Sequence, residues 1–358
     1  MAMKTKKNNK ALWTLIAFAL ALLSIFAVLS QSRELSIQDL FDTIARANRF
    51  WLFLAVLCMF GFIFFEGHAL WRLLRTVGYP RSHLQSVVYA SADIYCSAIT
   101  PSATGGQPVC AWFMKRDGVP MGYITAILAM YLIMHTFATL TIAVISLIAD
   151  PGVFTELSLL SQFLIVIGYI MVLGLAILFL MLFKMERRIY VIGCRMIDKM
   201  TKKGWIKRTQ HWKDRLKNTL GDYASCRELL KGQGSVLFQV YLLNIGQRMC
   251  QTVISTIMYL ATGGTPSGAG TVFVTQIFST IGSMFMPVPG GMGISDYLLY
   301  DGLRLLMQKD AALQLELISR SMSFYLTVLI SMVIVLIGYL QRRIFYFTVP
   351  PENHGNTQ

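Results

Sequence analysis

Six apolar runs, each long enough to cross a bilayer, constrain this chain more than any other feature. They lie at about 11–30, 50–72, 121–149, 156–183, 235–261 and 312–340. A helix needs about 20 apolar residues to span the hydrocarbon core. The chain is 55% hydrophobic, with a mean hydropathy of +0.56, whereas soluble domains are roughly 45–50% apolar. These runs predict an all-α polytopic membrane protein with about six full transmembrane helices.

Two further apolar regions, 84–118 and 271–308, are split by proline and glycine. Their breaks read "TPSATGGQPVC" and "MPVPGGMGISD". Irregular backbone at membrane depth is tolerated only where it is buried in protein or lines a cavity. Three spans separate the regions, so the second is inverted relative to the first. This pattern predicts two inverted re-entrant helical hairpins that meet at a central substrate site, although glycine also serves close helix packing alone.

The residues at each break also predict where the short helix of each hairpin begins. Pro108 suits a first helical position with Gln107 as the cap. Ser295 or Asp296 is expected to cap a helix over about 296–307. Helix N-termini bind phosphate through free N–H groups and the helix dipole, so both N-termini are predicted to face a lipid phosphate.

The distribution of Lys and Arg predicts the orientation. Positively charged loops stay in the cytoplasm, which places both termini there. The segment 184–232 holds fourteen Lys and Arg against five Asp and Glu, a net charge of +9, and is predicted to be a basic cytoplasmic loop. It either lies on an anionic inner leaflet or is simply a solvated loop. The positive-inside rule accounts for much of the overall charge of +14, so nucleic acid is not an expected partner.

Polar residues inside the apolar runs indicate where a substrate binds. Asn244, Gln247, Arg248 and Gln251 fall on one helical face, and a charge within a span is usually functional. The alternative for Arg248 is a structural salt bridge to Asp93 or Asp296. Arg320 has a local candidate partner in Glu316. The predicted substrate-binding residues are Asp93, Gly105, Gly106, Gln107, Asn244, Gln247, Arg248, Gln251, Gly290, Gly291, Asp296 and Arg320.

Other side chains that often carry chemistry are given a structural interpretation. Tyr131 and His135 share a helical face, and the histidine is interpreted as a packing residue. Glu66 is noted only as a buried-looking charge. The six cysteines are scattered, and the sequence has no H-E-x-x-H, Asp-x-Asp or Cys/His cluster. No catalytic residue, metal site or cofactor is therefore predicted.

The two broken segments also carry a family resemblance. "TPSATGGQPVCAWFMKRDG", "PVPGGMGISDYLLYDGL" and "ISRSMSFYL" occur in that order, and residues 10–345 resemble the lysyl-phosphatidylglycerol synthase/flippase transmembrane family. The resemblance implies a multi-pass protein of the bacterial inner membrane that moves lipids between leaflets. It implies a single flippase-like domain over 1–345. The short polar segment that follows, 346–358, is predicted from its own composition to be a disordered cytoplasmic tail.

The family pattern bears on the substrate. It commonly has Glu and Arg where this chain has Gln107 and Cys110, and Glu in place of Asp296. An aminoacyl-phosphatidylglycerol, a glycolipid and a polyprenyl-linked lipid all stay open, as do a separate synthase or transferase partner and a homo-oligomer. One alternative is a membrane component of lysyl-phosphatidylglycerol synthesis. Such a protein would carry the name phosphatidylglycerol lysyltransferase from its family, which is linked to resistance to cationic peptides. A small-solute transporter is the other.

Overall fold

The computed structural model describes residues 45–100, 103–184, 186–202, 209–284, 286, 291 and 293–348. The regular secondary structure in these ranges is helical throughout. In chain order the α-helices are α1 Arg49–Thr76, α2 His83–Ile99, α3 Gly106–Arg116, α4 Met121–Ala149, α5 Pro151–Glu156, α6 Leu159–Lys184, α7 Glu186–Lys202, α8 Thr209–Lys231, α9 Gly234–Ala261, α10 Ala269–Ser283, α11 Ile294–Leu303, α12 Lys309–Arg320 and α13 Thr327–Thr348. A π-helical turn, Ser321–Leu326, joins α12 to α13.

Four helical stretches among the described residues are long and apolar enough to cross a membrane. They are Arg49–Thr76, Met121–Ala149, Leu159–Met181 and Lys309–Gln341, which confirms four of the predicted spans as apolar helices of sufficient length. The run at 235–261 is also a helix of 28 residues, but its polar stripe lowers its hydropathy. The run at 11–30 lies outside the described residues, as do most of the predicted cytoplasmic tail and the N-terminus. The protein is an integral membrane protein, and its full topology stays a prediction.

Both broken regions fold as helical hairpins. The first pairs α2 with α3, and the second pairs α10 with α11. Ser82 starts α2 with a capping box, in which its Oγ accepts from the Gln85 N–H and the Gln85 side chain accepts from the Ser82 N–H. That both hairpins enter and leave the membrane on the same face stays a prediction.

The helix starts differ from those predicted. Gly105, rather than Gln107, is the N-cap of α3, which makes Pro108 the third helical residue. Gly293 is the N-cap of α11, and this helix covers Ile294–Leu303 instead of 296–307. Gly293 has φ +79°, a conformation that glycine adopts at little cost. The backbone needed at the turn therefore decided the cap, while the side-chain preferences of serine and aspartate suggested a later start.

Helices α1 and α9 form the centre of the packing. Each of them immediately precedes one hairpin. Small residues let their backbones approach closely, since Gly61 lies against Cys250 Sγ and Gly246 lies against the ring of Phe65. This contact brings the polar face of α9 against Glu66 on α1.

The basic segment is helical over its described part, in α7 and α8, which pack against each other. A surface ion pair between Lys213 Nζ and Asp198 Oδ1 (2.7 Å) joins them. On α7, Val191, Ile192 and Met196 are exposed apolar side chains. An amphipathic helix with basic residues suits the predicted position on an anionic leaflet, which stays a prediction.

Candidate functional site

A cavity of about 350 Å³ lies where the two helix breaks meet the α1–α9 centre. Ala103 and Gln107 border it from the first hairpin, and Gly291 and Ser295 border it from the second. Arg248 lies in its wall. The breaks therefore surround a cavity, which is the environment that irregular backbone in a membrane requires.

Arg248 is held in this wall by three neutral groups. Its Nε donates to Thr139 Oγ1 (3.1 Å), its Nη1 donates to Gln251 Oε1 (2.9 Å), and its Nη2 donates to His135 Nε2 (2.5 Å). A guanidinium has five N–H donors, so one on each terminal nitrogen is left over. No carboxylate of the described residues lies within 4.0 Å of it. The cation is thus fixed in position without being neutralised by a direct ion pair.

His135 takes the tautomer that suits this arginine. The Asn244 side chain donates through Nδ2 to the Val240 carbonyl oxygen (2.8 Å), so its Oδ1 is an acceptor. His135 Nδ1 lies 3.1 Å from this Oδ1 and donates to it, which leaves Nε2 free to accept from Arg248. Asn244 is fully buried and lies behind the cavity, where it positions the imidazole. Both ring nitrogens of His135 are thus satisfied within the protein, and the residue also lines the cavity. Its interpretation as a packing residue stays a prediction.

The wall of the cavity also has an acidic part. Glu66 and Asp93 are 4% and 8% exposed, and both line the cavity. Gln247 links Glu66 to Tyr131: its Nε2 donates to Glu66 Oε2 (2.6 Å), and its Oε1 accepts from the Tyr131 hydroxyl (3.1 Å). Two carboxyl groups therefore share the cavity wall with the Arg248 network.

A carboxylate lies close to the N-terminus of each of the two short helices. Asp93 lies directly against Gly106, the first residue of α3, and its Oδ2 accepts from Gln107 Nε2 (2.6 Å). At α11, Asp296 Oδ2 accepts from the Gly293 N–H (2.8 Å). A carboxylate thus lies near each N-terminus, and the binding of a lipid phosphate there stays a prediction. A negative group at a helix start is favourable, and this chain supplies one from its own side chains at both hairpins.

Asp296 pairs with Arg320, not with Arg248. Its Oδ1 lies 3.0 Å from Arg320 Nε, while Arg320 Nη1 donates to Ser295 Oγ (2.9 Å). The hypothesised Arg248–Asp93 and Arg248–Asp296 salt bridges do not form. Glu316 makes no ion pair within 4.0 Å among the described residues, so it is not the local partner predicted for Arg320. The pair instead ties the start of α11 to the end of α12.

We expect the Asp296–Arg320 pair to stabilise the second hairpin. Its side chains are 22% and 11% exposed, so Asp296→Asn or Arg320→Met alone should lower the stability of the detergent-solubilised protein by about 3 kcal/mol, because each change leaves a charge without its partner in a poorly solvated site. The double variant should cost less than the sum of the two. Asp198→Asn is the control, since its pair with Lys213 lies at the surface and is expected to contribute little to stability. Additive thermal shifts in the Asp296 and Arg320 variants would contradict this role.

The structure brings most of the predicted residues together around one cavity. Asp93, Gln107, Gln247, Arg248, Gln251, Gly291 and Arg320 line it. Gly105, Gly106, Asn244 and Asp296 support these residues from behind, and Gly290 lies outside the described residues. The prediction missed Glu66 and the polar face of α4, formed by Tyr131, His135 and Thr139. Their i, i+4, i+8 spacing was a readable signal, equivalent to the stripe on α9.

One comparison with known proteins is informative. The family model described as "Lysylphosphatidylglycerol synthase TM region" matches residues 14–331, which cover both hairpins, α1, α9 and every residue of the cavity wall. No curated protein matches the chain.

Proposed function

We propose a function from one premise: this chain belongs to the lysylphosphatidylglycerol synthase transmembrane family. The proposed activity is translocation of a phosphate-bearing lipid between the leaflets of a bacterial inner membrane. Arg248 binds the phosphate during passage. The observation that carries the proposal is the pair of N–H donors that Arg248 retains in the cavity wall after its three protein contacts.

The geometry of a guanidinium supports phosphate as the ligand. Its N–H groups form a planar fork that matches two phosphate oxygens. Thr139, Gln251 and His135 hold the fork in place without neutralising it. Arg320 also reaches the cavity wall, but Asp296 offsets its charge. Arg248 is therefore the stronger candidate for the first contact with an anion.

The acidic part of the cavity wall favours a headgroup with hydrogen-bond donors. Glu66 and Asp93 would repel a second phosphate, but they accept hydrogen bonds from hydroxyl or ammonium groups. A glycerol, sugar or aminoacyl headgroup satisfies both parts of the wall at once. Glycerol and aminoacyl-glycerol headgroups fit the family's link to lysylphosphatidylglycerol, and a sugar headgroup fits the same chemistry.

Reconstituted vesicles test the activity directly. Fluorescent phosphatidylglycerol with a dithionite-sensitive headgroup or chain label starts in both leaflets, and dithionite bleaches only the outer half. With the full-length protein, we expect the protected inner half to be bleached as lipid crosses. Protein-free vesicles are the control. If vesicles with folded protein keep half of the signal, as empty vesicles do, the proposed function is wrong.

A further inference from the structure

Helix α6 is attached to the rest of the protein along its N-terminal half. Ser158, just before the helix, and Ser161 in its first turn each donate from Oγ to Asp301 Oδ2, over 2.8 and 2.6 Å. The Tyr169 hydroxyl donates to the Ala143 carbonyl oxygen on α4 (2.7 Å). Gly168 lies so close to the Ile281 carbonyl group on α10 that any side chain there would overlap it. These contacts fix the helix as far as about residue 172.

The C-terminal half of α6 is much less covered. Over 173–181, Ala176 alone is buried, and Leu173 is 50% exposed. A side chain added at Gly174 would have open space around it. This half of the helix therefore stands apart from its neighbours within the described structure.

The cavity extends to this uncovered half. Leu175 and Phe179 of α6 line it on one side, and Ile94 and Ala98 of α2 line it on another. Among the described helices, α6 packs against α4 and α10, and α2 packs against α1, α3 and α13, whereas α2 and α6 are not a packed pair. An apolar cleft between α2 and α6 is thus continuous with the polar cavity that holds Arg248.

We propose that the cleft between α2 and α6 holds the acyl chains of the lipid and is its lateral entrance from the bilayer. This inference rests on the proposed function, because it places the phosphate of the same phospholipid at Arg248. An apolar cleft gives acyl chains an environment much like the bilayer they leave, since lipid tails are as apolar as leucine. The acyl chains can therefore enter the cleft at little cost in free energy. The polar residues of the cavity, at the inner end of the cleft, then select the lipid by its headgroup.

Photo-crosslinking tests the cleft without relying on transport. The photoreactive residue p-benzoylphenylalanine is placed at Phe179, in the cleft, or at the adjacent Leu178, which is 48% exposed and does not line the cavity. The full chain is reconstituted in vesicles of equal phosphatidylglycerol and phosphatidylcholine, irradiated, and the lipid adducts are identified by mass spectrometry. We expect the Phe179 adducts to be enriched several-fold in phosphatidylglycerol, and the Leu178 adducts to follow the bilayer composition.

The outcomes separate this inference from the proposed function. If position 179 yields no adduct, or adducts at the bilayer composition, the cleft is not a site for the translocated lipid. In the Arg248→Ala background, we expect the enrichment at position 179 to disappear. Enrichment that persists in that background would support the cleft as a lipid site and would count against Arg248 as the phosphate ligand.

Discussion

Arg248→Ala is expected to abolish lipid translocation while the protein still folds and inserts. The change removes two donors to the phosphate, and hydrogen bonds to charged groups contribute about 1.5–3 kcal/mol each. A loss of about 3 kcal/mol corresponds to roughly a hundredfold weaker interaction. The measurement is the initial rate of dithionite-accessible bleaching, normalised to the amount of folded protein in the vesicles.

Two further variants distinguish a binding role from a structural one. Arg248→Lys keeps the charge but loses the fork, so it should retain partial activity. Thr139→Val removes one contact that positions the guanidinium (3.1 Å) and leaves the guanidinium itself, so it should reduce the rate much less than the alanine variant. If Arg248 has a structural role instead, the Arg248→Ala variant should have a lower melting temperature. At temperatures below its melting point, this variant should flip lipid at the normal rate. That result would overturn the assignment of Arg248.

Gly106→Ala is expected to destabilise the first hairpin. A methyl group at this position would overlap the Asp93 carboxylate and the Ser97 hydroxyl, and it would lie 2.5 Å from the Asp93 carbonyl oxygen. A backbone oxygen cannot move aside cheaply, so α2 and α3 must separate. Overpacking of this kind costs about 1–3 kcal/mol, occasionally more. The separation would also break the hydrogen bond between Gln107 Nε2 and Asp93 Oδ2 (2.6 Å).

Gly174→Ala is the matched control. It is also a helical glycine, but nothing lies within 4 Å of the added group. Alanine is favoured over glycine in a helix by up to about 1 kcal/mol, so this variant should be as stable as the parent protein or more so. Thermal unfolding in detergent and lipid flipping would both be measured. Equal melting temperatures for the two variants would show that the α2–α3 contact at Gly106 is not tight.

The apolar runs and their proline and glycine breaks were enough to predict a helical membrane protein with two interrupted hairpins. Apolar runs of 20 residues or more leave few alternatives, because every backbone polar group in lipid must be paired within the protein. The breaks near Gly105 and Gly291 were visible for the same reason, since proline and glycine disfavour a continuous helix. The polar stripe at Gln247 and Arg248 could be read from its spacing along a single helix.

The partners of the charged groups could not be predicted from the amino-acid pattern, because they depend on how the helices pack in space. Arg248, Arg320, Asp93 and Asp296 all lie within apolar segments, and helical periodicity cannot say which of them meet across helices. Asp296 pairs with Arg320 because α11 packs against α12, and this leaves Arg248 to three neutral neighbours. Helix α11 starts after Gly293 because glycine permits the turn with positive φ there, and the cavity reaches Leu175 and Phe179 of α6. Such pairings depend on how separate helices are arranged in space, and local sequence does not encode that arrangement.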